Sequence, residues 1–212
     1  MNIRHAALLI GVPLAFSVLL WLHPMVGDWE GLKDATARFQ IVHVGMVLAL
    51  PLLALGRYLM LDGLDGRAAA TARVSLVVFA VFYVPYVAFE GIGLGVLGQE
   101  LNGLTAAQRD AVAPSMTEDF ARNPILGEPG VFWAVGSAAW TVVSVATVLA
   151  FRRAGAPTAL QVLLGMSVLI VAHTPPLAPI GLVCFAAAGW MVLRARHTPA
   201  AEAVAPAATA SA

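Results

Sequence analysis

Three histidines and one glutamate carry the chemistry this chain suggests. Glu90 stands inside Phe79-Ala80-Val81-Phe82-Tyr83-Val84-Pro85-Tyr86-Val87-Ala88-Phe89-Glu90-Gly91-Ile92-Gly93-Leu94-Gly95-Val96-Leu97, an otherwise apolar run long enough to cross a bilayer. Charging a carboxylate in hydrocarbon is costly, so Glu90 must be neutral, paired or turned toward a wet cavity. His23, His43 and His173 each fall at the end of an apolar segment. Imidazoles from separate helices, joined by a carboxylate, form a donor set for a metal ion. Zn²⁺ is the default for three nitrogen ligands with an open position. Glu90 would then be a fourth ligand or the proton acceptor for a bound water. Met25 beside His23, and Met46 one turn beyond His43, would suit a softer ion such as copper. Haem held by two of the histidines is a further variant.

Each of these residues also has a plainer reading. A histidine at a helix end commonly hydrogen-bonds headgroups or loop carbonyls, and His23-Pro24 and His173-Thr174-Pro175 both occupy such ends. A protonated Glu90 would be satisfied by a carbonyl freed by Pro85, or by a nearby Tyr or His. Tyr83 and Tyr86 lie seven and four residues before Glu90 and share its helix face. Gly91-x-x-x-Gly95 is the small-residue spacing of close helix contacts, available to a neighbouring helix or to a partner chain.

The segments that position these groups are membrane helices. Of 212 residues, 60% are hydrophobic and 11% charged, against about 45–50% and about 25% in average chains. The net charge is zero, and nothing resembles a nucleic-acid footprint. The single cysteine, Cys184, excludes an intrachain disulfide and a cysteine-cluster metal site. Apolar periodicity and turn signals predict an all-α, polytopic bundle of six transmembrane helices over residues 1–197. Their expected bounds are 6–22, 41–61, 74–97, 131–151, 160–173 and 180–193. The first is read as a retained helix, because no small-x-small cleavage site follows it. Residues 104–120 predict an amphipathic surface helix with Leu104, Ala107, Val112 and Met116 as its apolar side. An Ala/Pro-rich tail over 198–212 is expected to be disordered.

Charge sets the expected orientation. With the N-terminus inside, Arg4, Arg57, Arg67, Arg73, Arg152, Arg153, Arg194 and Arg196 fall on the cytoplasmic side, Arg57 snorkelling to that interface. Only Lys33, Arg38, Arg109 and Arg122 fall outside, so both termini are expected in the cytoplasm. The Arg and Ala bias suggests a bacterial inner-membrane protein. In this arrangement His23, His43, His173 and Glu90 all belong to the extracytoplasmic half.

No nucleotide loop, nucleophile elbow or H-E-x-x-H string is present, so whether the chain is an enzyme stays open. The leading expectation is a metal- or haem-binding membrane protein. The alternatives are a proton-linked or small-solute transporter using Glu90, and a non-catalytic assembly subunit. A homo- or hetero-oligomer would form through the Gly91/Gly95 face.

Overall fold

The computed structural model describes residues 3–26 and 29–197; the tail expected over 198–212 lies outside the described residues. Those described are helical and contain no strand. In chain order the helices are α1 (Ile3–Trp21), α2 (Trp29–Lys33), α3 (Thr36–Met60), α4 (Arg67–Asn102), α5 (Ala106–Ala121), α6 (Val131–Arg153), α7 (Thr158–Ala172) and α8 (Leu177–His197). Among them α1, α3, α4, α6 and α8 are long and apolar enough to cross a membrane. Their outward faces stay apolar, with Val18, Leu48, Val77, Val145 and Val183 all exposed. This surface suits contact with lipid tails.

The long helices outrun their expected bounds at the polar ends, because backbone hydrogen bonding continues past the last apolar residue. α4 begins seven residues before Val74, at Arg67, and runs on to Asn102. α7 falls short of the usual ~20-residue span, with nine α-helical residues followed by six in 3₁₀ conformation. The tighter 3₁₀ coil rises ~2.0 Å per residue rather than ~1.5 Å, which stretches α7 to roughly 25 Å. Gly155, in left-handed conformation (φ 73°), ends α6 and turns the chain toward α7.

The main core lies between α1, α3, α4, α6, α7 and α8, around Leu20, Met46, Phe79, Trp140, Leu164 and Phe185. Pairing is most extensive between α4 and α6. A second, smaller core gathers Trp29, Leu32, Phe39, Leu94, Leu101 and Ala113 where α2 and α5 cover the ends of α3 and α4. Gly91 and Gly95 pack inside the chain, a Cβ on Gly91 falling on the His43 ring and one on Gly95 against Gln40 of α3. The glycine face is therefore occupied by α3, which corrects its expected role as a surface for a partner chain.

α5 turns Ala113, Thr117 and Phe120 toward the protein and leaves Leu104, Ala107, Val112 and Met116 exposed. One further expectation changes. Arg57 does not snorkel but is fully buried. Its guanidinium donates to Ser167 and lies 5.5 Å from the Trp140 ring centre and 4.7 Å from that of Phe185, with Nε and Nη1 unpartnered. Ser167 opens the 3₁₀ stretch of α7, and its carbonyl accepts a 3.0 Å bond from the Trp140 indole.

Candidate functional site

His23 is placed by the end of α1. Its backbone N–H closes a last turn onto Leu20 O (3.1 Å), and Pro24 cannot continue the helix. The side chain turns inward and is 8% exposed. Neither ring nitrogen meets a hydrogen-bond partner. Burial lowers the affinity of this imidazole for a proton, while the nearby Pro24 backbone pulls slightly the other way. The ring is therefore neutral at pH 7.

His43 lies about two turns into α3 and is 1% exposed. Its Nδ1 is 2.8 Å from Phe39 O. A carbonyl only accepts, so Nδ1 carries the proton and Nε2 the lone pair. Metal-ligating histidines are commonly held this way, one nitrogen anchored to a carbonyl and the other left basic. Gly91 makes room for the ring, since a Cβ there would fall 1.7 Å from His43 Cγ.

His173 follows the 3₁₀ end of α7 in left-handed conformation (φ 38°, ψ −2°). This is the one non-glycine residue with positive φ among those described. Such backbone costs an L-residue roughly 1–2 kcal/mol and persists where the surroundings impose it. Here the ring packs against His23 and Tyr86.

The three imidazoles meet. The His23 ring centre is 4.9 Å from that of His43 and 5.6 Å from that of His173, both edge-to-face. Tyr86 of α4 packs on His173 at 6.2 Å and donates a 2.7 Å hydrogen bond to Glu128. Tyr83 donates to Val171 O at 3.1 Å, tying α4 to the 3₁₀ stretch. In this packing no group of three His, Cys, Asp or Glu among the described residues forms a ready-made metal site.

Glu90 lies in a π-helical stretch of α4, Ala88–Gly93, and lines a cavity of about 380 Å³ between α2, α3, α4 and α5, to which none of the three histidines contributes. Phe39 lines the same cavity and packs against both His23 (5.6 Å) and His43 (4.2 Å). Glu90 Oε2 is buried without a partner. Glu128 reads in the sequence only as part of a Gly/Pro turn, because nothing local signals that the turn folds back onto α4. Met25 is 70% exposed, whereas Met46 is fully buried in the main core. The expected thioether beside His23 therefore points away.

Comparison with known proteins finds no match: no family model, no curated protein and no solved structure is significantly similar to this chain.

Proposed function

We propose that this is a six-span protein of a bacterial inner membrane, with both termini cytoplasmic. Its extracytoplasmic end binds a divalent transition-metal ion through His23, His43 and His173. The reading is carried by one observation, the ring-to-ring meeting of three histidines from separate elements. Ring nitrogens ~2.1 Å from a tetrahedral ion set neighbouring ring centres about 5.2 Å apart. The two observed spacings, His23 to His43 and His23 to His173, lie on either side of that value, which supports convergence of these rings on one ion after side-chain rotation. The anchored Nδ1 of His43 and the unpartnered nitrogens of His23 support the same reading.

An ion suits this packing better than haem, whose iron would hold two rings about 6 Å apart across a flat macrocycle. Zn²⁺ suits it better than copper, given the outward Met25. Glu90 is not assigned as a ligand, since it lines a cavity to which no histidine contributes. The sixth span is α7, whose 3₁₀ stretch supplies the missing length, and α5 lies along the membrane surface with Val112 and Met116 toward lipid. Transport would need a passage from face to face. The Glu90 cavity shares no lining residue with the groove between Arg67 and Arg153 on the opposite end, which favours a fixed site.

Elemental analysis of protein purified in mild detergent tests this, beside a His43→Ala, His173→Ala double variant. One bound metal per chain, lost in the variant, is expected. Protein that stays metal-free after incubation with Zn²⁺, or a variant that retains the ion, overturns the reading.

A further inference from the structure

The cavity behind Phe39 has walls that ask for a ligand of their own. Its volume of about 380 Å³ lies within the range of small-molecule pockets. Val26, Leu32, Phe39 and Leu94 make it mostly apolar. Two lining residues, Glu90 and Trp29, carry buried polar atoms with no hydrogen-bond partner: the Oε2 of Glu90 and the Nε1 of Trp29. Trp29 is 4% exposed. Buried polar groups are nearly always partnered, so a pair of orphans in one cavity wall is unusual.

We propose that this cavity binds a small, mostly apolar molecule bearing a hydroxyl group, an alcohol or phenol. An indole N–H only donates, and a carboxylate oxygen accepts. A hydroxyl does both, and so answers Trp29 and Glu90 together once the two side chains turn toward it. An ammonium offers Trp29 no acceptor, and a carboxylate offers Glu90 no donor. Selection by charge is weak, because Glu118 and Arg122 at the rim pair with each other at 2.8 Å. α5 closes the cavity, held by Phe120 stacked on Phe89 (ring centres 4.1 Å apart, 5° between planes) and by the Thr105/Gln108 capping box at its start. The site stands apart from the histidine cluster and does not depend on a bound metal.

The test uses the full chain in lipid nanodiscs with chelator present, titrated calorimetrically with 4-hexylphenol, hexylbenzene and hexylamine. Saturable 1:1 binding of 4-hexylphenol is expected, about tenfold or more tighter than hexylbenzene, the difference a buried hydrogen-bonding group makes. Trp29→Phe and Glu90→Gln each remove most of that preference. Ala121→Trp, which fills the cavity and leaves both polar groups in place, abolishes saturable binding. Equal binding of hexylbenzene, preference for hexylamine, no saturable phase, or a phenol preference unchanged in Trp29→Phe each overturns the proposal. Trp29→Phe and Ala121→Trp decide the matter even where Glu90→Gln fails to fold.

Discussion

Replacing Gly91 by alanine drives a methyl group into the His43 imidazole. The added carbon would sit 1.7 Å from His43 Cγ, 2.0 Å from Cδ2 and 2.1 Å from Cβ. Carbon atoms rest about 3.5–4.0 Å apart, so the ring or the helix must move by roughly 2 Å. Overpacking of this kind costs about 1–3 kcal/mol. Alanine's better helix propensity returns up to ~1 kcal/mol, leaving a net loss of about 0–2 kcal/mol when that return is complete. The displaced ring also leaves its bond to Phe39 O and its place beside His23, so bound metal should fall together with stability. The decisive assay is a double-mutant cycle, with unfolding midpoints and metal content measured for Gly91→Ala, His43→Ala and the pair. On the His43→Ala background the methyl group fills the space the ring leaves, and Gly91→Ala becomes neutral or stabilising. A coupling energy of about 2 kcal/mol is expected. Gly91→Ala costing the same on both backgrounds would refute the account of why glycine stands there.

Other outcomes follow from the same geometry. His173→Asn, which tolerates left-handed backbone, should keep stability about 1–2 kcal/mol above His173→Val, although both lose metal; equal unfolding midpoints would sink the assignment of strain. Ser167→Ala, which leaves the Arg57 guanidinium without its hydroxyl partner, should lower stability by about 1–3 kcal/mol, whereas Arg57→Met should leave the midpoint unchanged or raise it. A larger loss in Arg57→Met than in Ser167→Ala would show that the charge itself is needed. The proton affinity of His23 is lowered by folding from its ordinary 6.5, so below that pH the unfolded chain binds more protons than the folded one. Stability of the metal-free protein should therefore fall as pH drops below about 6.5. His23→Phe should make that slope shallower, and an unchanged pH profile in the variant would count against burial of a neutral His23.

The membrane character of this protein is set by composition and by runs of apolar residues. Both act locally, so the sequence determined the long helices, the turns between them and which end of each helix carries His23, His43, His173 and Glu90. The meeting of the three histidines depends on more than shared depth. It needs Gly91 to admit the His43 ring, Pro24 to end α1, and a left-handed His173 at the end of a 3₁₀ stretch, and none of these is a signal that spacing alone conveys. Glu90 shows the converse. It stands one residue before the Gly91 that admits the His43 ring, yet it lines a cavity to which none of the three histidines contributes. Arg57 reads as an interfacial cation because a helix end is usually near water. Only the packing of Ser167, Trp140 and Phe185 around it reveals a buried charge. The buried side of α5 was likewise decided by contact: Ala113, Thr117 and Phe120 face the protein while Val112 and Met116 stay exposed. A helix's own pattern states which residues are apolar, while the shape of the neighbouring surface selects which of them it accepts.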